Sequence, residues 1–332
     1  MRAGWLIGAG AVLLTGAGTA HASYSFVTLS DPAANGYMVA QGINDSGQIV
    51  GLYRDSSNAQ HGFLLSGGTY STIGPAGAAS AQASGINAAG TIVGYYNVSG
   101  SATAGFVDSG GVYGPLFAVS GSTATFGGGI NAAGTVAGWY NDATGTHGFA
   151  SAVSSSFSPT PIDATGAIPG TTIVTGINDA GQVVGYYTGT DNLTHGFIYS
   201  GGSFLPLDDP AAGVTGSTYA TGINNLGEVV GYYQDAGGSF GFADIGGTFS
   251  TLDDPLGISG FTQAFGVNDL GQVVGSYLDA SSGELLGFEA NPGFGTMPVP
   301  EPVSLALLGF GLLALRAVRR SQSHQTGNPP AC

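Results

Sequence analysis

The stretch YSFVTLSDPAA, residues 24–34, has a near copy in GSFLPLDDPAA, residues 202–212, but the two stand at different points of a repeating pattern. The second copy closes a repeat, whereas the first precedes every repeat. Aligning the chain on Gly-Ile/Val-Asn, as in GINDSGQIVGLY (residues 42–53), places the motif at Gly42, Gly85, Gly129, Gly176, Gly222 and Gly266, in steps of 43, 44, 47, 46 and 44 residues. A period this regular is read before anything else. Each unit holds four short apolar or β-branched pieces, in the fourth unit TTIVTGIN (171–178), QVVGYYTG (182–189), HGFIYS (195–200) and GSFLPLDD (202–209). Pieces this short, broken by Gly, Asn, Asp and Ser and lacking a helical apolar period, predict strands. Four strands per unit suit one blade of a β-propeller.

The ends of the array decide between a ring and an open solenoid. The first five units finish with an aromatic strand such as GGTYSTI (67–73) or GGTFSTLDDP (246–255), but the sixth stops after LLGFEANPG (285–293). The strand it lacks is YSFVTLSDPAA at the other end. An N-terminal strand that completes the last blade closes a ring, while a solenoid would call for distinct capping units. The sequence therefore predicts an all-β fold, one six-bladed β-propeller over residues 23–291, with 292–298 as a linker. The first strand of each unit is expected nearest the axis, since MVAQGIN (38–44), AQASGIN (81–87), FGGGIN (126–131) and YATGIN (219–224) are built largely of small residues.

In every unit an Asn is followed three residues later by Gly, from Asn44/Gly47 to Asn268/Gly271. That spacing predicts a type I turn with a left-handed glycine, in which the Asn side chain bonds its own backbone. A ligand role for the recurring Asn is the competing use. The mid-strand glycines Gly51, Gly94, Gly138, Gly185, Gly231 and Gly275 are expected where the neighbouring sheet approaches closely, with tyrosines and Trp139 supplying bulk opposite them.

Charge is sparse and one-sided. The chain has twenty Asp or Glu and five Lys or Arg, a net charge of −15, and no lysine. Between Ser23 and Pro298 the one basic residue is Arg54. Nucleic-acid binding, which depends on neutralising phosphates, is excluded on this balance. With 43% hydrophobic against 8% charged residues, the body folds and is not disordered. The one cysteine, Cys332, leaves no disulfide to be made within the chain.

Residues 1–22 run from Arg2 through an apolar segment to Ala20 and Ala22 in A-x-A spacing, and read as a secretory signal peptide cut after Ala22. At the other end, VPEPVSLALLGFGLLALRAVRR (299–320) combines Val299, Pro300, Glu301 and Pro302 with an apolar run and the basic cluster Arg316, Arg319, Arg320. These three parts in this order resemble the PEP-CTERM sorting signal of Gram-negative bacteria. The resemblance implies a short C-terminal transmembrane helix, recognition by an exosortase-type processing enzyme, transient anchoring in the inner membrane, and delivery to the cell surface or an exopolysaccharide-associated extracellular matrix. Thirteen helical residues reach roughly 20 Å, short of a bilayer core of about 30 Å, so the anchor is a weak one. The tail 321–332 is expected to be disordered. The repeat itself, with Gly-Ile-Asn, Val-Val-Gly-Tyr and His-Gly-Phe, resembles HAF-type extracellular repeats, which carry no activity to transfer.

Candidate chemistry is thin. His61, His147 and His195 each precede Gly-Phe at equivalent places in units one, three and four. Three imidazoles invite a shared metal, but third-strand positions on separate blades diverge, so each His is expected to hydrogen-bond within its blade. Asp31, Asp163, Asp208-Asp209 and Asp253-Asp254 follow the fourth strands; weak Ca²⁺ binding and plain turn formation are the two uses open to them. No resident cofactor is implied. No glycine-rich loop precedes a lysine, and no nucleophile elbow or catalytic cysteine occurs. Two functions remain: a non-enzymatic propeller binding glycan or protein partners, with sugar against Tyr and Trp139, and a polysaccharide hydrolase or lyase working at one mouth of the channel. Short, uniform loops favour the first.

Overall fold

The computed structural model describes residues 24–98, 102–114, 116–154 and 157–293. The segments read as a signal peptide (1–22), a sorting signal (299–320) and a tail (321–332) lie outside the described residues. Among the described residues no helix is long and apolar enough to cross a membrane.

Each repeat folds into an antiparallel blade, and the blades of units five and six are joined by one parallel bridge, Ser239 to Phe261. Blade 1 is formed by Met38–Ile43, Ile49–Arg54, Gln60–Ser66 and Thr69–Ile73, and blade 4 by Ile173–Ile177, Val183–Thr188, Thr194–Ser200 and Ser203–Leu207. Blade 2 opens with Ser80–Ile86 and Thr91–Asn97, blade 3 with Ala124–Ile130 and Thr135–Asp142, blade 5 with Ser217–Ile223 and Val229–Asp235. Blade 6 comprises Gly257–Val267, Val273–Asp279 and Leu285–Pro292, and its fourth strand is Tyr24–Leu29 from the N-terminus. There Tyr24 pairs with Pro292, Phe26 with Ala290 and Leu29 with Gly287. The strand expected to complete the last blade does so.

Outer strands are weaker where proline or glycine intrudes. Among the described residues, the fourth strand of blade 2 is Val112–Tyr113 with one further bridge, Gly105 to Phe117, and that of blade 3 is the bridge Gly148 to Ile162. Pro159 and Pro161 lie just before Ile162 and supply no N–H to a ladder.

Ring closure is written in the inner strands. A methyl added at Gly42 would meet Gly85 Cα at 3.2 Å, one at Gly129 would meet Gly176 Cα at 3.1 Å, and one at Gly266 would meet Gly42 Cα at 3.0 Å. The glycine of each Gly-Ile-Asn thus lets one inner strand lie against the next, the sixth against the first included.

The mid-strand glycines do something else, which corrects the expectation that they face the neighbouring sheet. Each stands directly across from the Phe of Gly-Phe on the third strand of its own blade: Gly51 with Phe63, Gly94 with Phe106, Gly138 with Phe149, Gly185 with Phe197, Gly231 with Phe242, Gly275 with Phe288. A Cβ at Gly185 would lie 2.0 Å from the Ile173 carbonyl oxygen and 2.9 Å from the Phe197 ring. The close approach comes from within the blade, from the inner strand's carbonyl on one side and the Phe ring on the other. All six phenylalanines are fully buried.

Candidate functional site

The Asn turns take the structural use. In blade 4 the Asn178 carboxamide oxygen accepts from the Gln182 N–H at 3.0 Å, and Gly181 adopts the left-handed conformation at φ 76°. The side-chain amide has a further role that the turn alone does not require. Asn44 donates to the Asn87 carbonyl, Asn87 to Asn131, Asn131 to Asn178, Asn178 to Asn224, Asn224 to Asn268 and Asn268 back to Asn44, at 2.9–3.3 Å. Six buried amides form a closed belt around the axis. The six-fold recurrence of one Asn was its signal in the sequence.

Three chambers follow one another along the axis. At the turn end a cavity of about 80 Å³ is lined by the Asn belt with Asp45, Asp179 and Asp269. A collar of Ile43, Ile86, Ile130, Ile177, Ile223 and Val267 separates it from a glycine-lined middle chamber of about 70 Å³. The opposite mouth is a cavity of about 140 Å³ walled by Trp139, Tyr186, Tyr232, Phe265, Gln41 and Gln82, among others.

Local backbone geometry builds this mouth. In every first strand the register slips by one residue before Gly-Ile-Asn, at positions 41, 84, 128, 175, 221 and 265. A bulged residue is released from the ladder and its side chain re-aimed, here toward the axis. Thr175 and Thr221 use the position to stitch blades, their hydroxyls donating to the Ala220 and Ala264 carbonyls at 3.0 and 2.9 Å. Gln41 and Phe265 instead line the mouth. The residue after the mid-strand glycine is Leu52, Tyr95, Trp139, Tyr186, Tyr232 and Ser276 in turn, so aromatics crowd blades 2 to 5, and Trp139, Tyr186 and Tyr232 line the cavity.

The result is lopsided. Phe126 stacks on Trp139 at 4.8 Å and Tyr219 on Tyr232 at 4.5 Å, with Tyr186 and Phe265 edge-on beside the second pair. Facing them, Tyr95 donates to the Gln82 carboxamide oxygen at 2.7 Å and Gln82 donates to that of Gln41 at 2.7 Å. Burial pushes the Tyr95 and Tyr186 phenols up to about 12 and raises that of Tyr232 as well, so all three stay neutral hydrogen-bonding groups. Sequence reading had named Trp139 and the tyrosines but missed Gln41, Gln82 and Phe265. Gln41 and Phe265 differ from the Ser84, Gly128, Thr175 and Thr221 that other units carry just before Gly-Ile-Asn, and Gln82 stands two residues before that position in its own unit.

The three histidines do not converge. His61 pairs with Asp55 at 2.9 Å; His147 bonds Asp163 at 2.8 Å and Thr144 at 2.8 Å; His195 lies between Asp208 at 3.0 Å and Asp191 at 3.2 Å. Each ring also packs on its own blade's tyrosine, Tyr53, Tyr140 or Tyr187. Hydrogen bonds from Ser57 and His61 hold the Asp55 carboxyl well below the usual carboxylate range. The acids after the fourth strands divide likewise. Asp163 and Asp208 face histidines, and Asp31, Asp209 and Asp254 each accept from the N–H two residues on, as a turn-forming Asp does. No group of three or more His, Cys, Asp or Glu able to hold a metal ion occurs among the described residues.

No protein-family model matches the chain, and no curated protein does either. Among solved structures it is similar to a mutant of the Aleuria aurantia lectin in complex with Fucα1-6GlcNAc, at 17% identity over 77% of this chain and 93% of that one, with a TM-score of 0.49. Another structure of that fungal lectin, described as a six-bladed β-propeller, gives 16% identity over 77% and 95%, and a TM-score of 0.42. A gluconolactonase from Xanthomonas campestris gives 12% identity over 81% and 90%, and a TM-score of 0.46. At these values the fold rests on the chain's own strand pairing and on its belt of hydrogen bonds.

Proposed function

We propose that this chain is an exported, non-enzymatic propeller that binds glycan at the aromatic mouth of its axis and works at the cell surface or in the extracellular matrix of a Gram-negative bacterium. The observation that carries the binding reading is the wall of that mouth. Aromatic side chains on one side and carboxamides on the other match a sugar ring, whose C–H face is apolar and whose edge is a row of hydroxyls. Export and sorting by an exosortase-type enzyme rest on the sequence segments at 1–22 and 299–320.

Hydrolysis of a glycosidic bond calls for two carboxyl groups flanking it; none lines this cavity, and at the turn end Asp45, Asp179 and Asp269 are engaged as acceptors from the Asp269, Ala132 and Asn225 N–H groups. Binding is therefore favoured over turnover. A glycan array probed with the purified protein, beside Trp139→Ala, tests the reading: binding lost in the variant supports it. Binding to no glycan, or release of sugar from a polysaccharide, overturns it.

A further inference from the structure

Resting on that reading, we infer that the mouth takes an uncharged sugar residue at the end of a chain, and turns away uronates and internal residues. Two independent observations carry this.

The first is charge. The walls presented by Gln41, Gln82, Trp139, Tyr186, Tyr232 and Phe265 hold no cation. Arg54, the one Arg or Lys among the described residues, lies over the Tyr37 ring at 4.7 Å and bonds Asn58, and neither it nor any His lines the cavity. A carboxylate entering would shed water without gaining a countercharge, and would do so in a chain of net charge −15. Neutral hydroxyls are met differently. The Tyr186 and Tyr232 hydroxyls and the Gln41 amide nitrogen make no hydrogen bond to other described residues, leaving donors on both sides of the cavity.

The second is shape. A volume of about 140 Å³ holds on the order of ten waters, room for one sugar ring. The cavity lies on the axis and is walled all round by blades. Beneath it the channel shrinks to about 70 Å³ and then to the Ile/Val collar, where glycines of adjacent inner strands already touch. An internal residue of a polymer must enter and leave a site on two sides, and this one opens on one side only.

The experiment uses the full protein, with Trp139 fluorescence and calorimetry as readouts. The probes are linear hexasaccharides of glucose, mannose and galactose, the same compounds with primary alcohols oxidised to carboxylates, and the same compounds with the non-reducing end capped by a cyclic acetal. At least one neutral probe is expected to bind, its oxidised form roughly ten- to hundredfold more weakly, and its capped form not measurably. Equal or tighter binding of the oxidised form overturns the neutral-ligand inference, and equal binding of the capped form overturns the end-on one; either leaves glycan binding standing. If no probe binds and the array is also blank, the inference falls together with the reading beneath it.

Discussion

At the scale of single residues, the Asn belt does two jobs with one side chain. Its oxygen ends a turn and its nitrogen ties a blade to the next. Replacing Asn178 by Ala should strand the Asn224 carbonyl and the Gln182 N–H, at a cost of about 1–3 kcal/mol in chemical denaturation. Asn178→Asp keeps the turn acceptor but loses the donor, so a comparable loss is expected above the carboxylate range and a smaller one in acid.

Titration separates two kinds of acid and base. Asp254 is nearly fully buried, one of its oxygens has no partner, and burial raises its pKa above the ordinary 3.8. A raised folded value means that the folded state binds more protons, so the stability tied to the neutral acid is complete below 3.8 and lost as pH rises through the folded value. Asp254→Asn should accordingly raise the melting temperature at neutral pH and change it little near pH 3, read by calorimetry at both. His195 has the same sign for a different reason. Burial alone would lower its pKa, but hydrogen bonds to Asp208 and Asp191 outweigh it and raise the value above 6.5. Its contribution is present below 6.5 and fades as pH climbs through the raised value, so the deficit of His195→Gln should shrink as pH rises above 6.5.

At the scale of elements, the second and third strands of each blade interlock through one Gly–Phe pair. Phe197→Ala should leave a cavity over Gly185 and cost about 3–5 kcal/mol; an Ile173 carbonyl shift in the structure of the variant would show the blade collapsing onto it. Much at this scale was legible in the letters. The four pieces of the fourth unit fall on its four strands, since apolar runs cut by Gly and Asn admit little else. The partner of the mid-strand glycine was misread because a glycine announces a close approach without saying from which direction. Gln41 and Phe265 were illegible as wall residues because a bulge is a property of register: neither local propensity nor period marks which residue drops out of the ladder.

At the scale of the molecule, closure depends on six residues that pair across almost the whole chain, Ser25 reaching Asn291. Deleting 24–29 should bare the Leu285–Pro292 edge and uncover Phe288, now fully buried. Lower melting temperature, a broadened transition and association through the open edge are expected, measured by calorimetry and light scattering. A variant that stayed monomeric and melted as sharply as the parent would mean that the ring is held by the Asn belt alone.

The pairing of Tyr24 with Pro292 also fixes where the propeller is held. Pro292 packs near Gly271, and Gln272 bonds Asn291, so both ends of the propeller meet beside the Asn turns. The Trp139 cavity opens at the opposite pole. A resin, a dye or a lipid surface attached through either end therefore grips the rear of the ring and leaves its aromatic cup pointing away from the support.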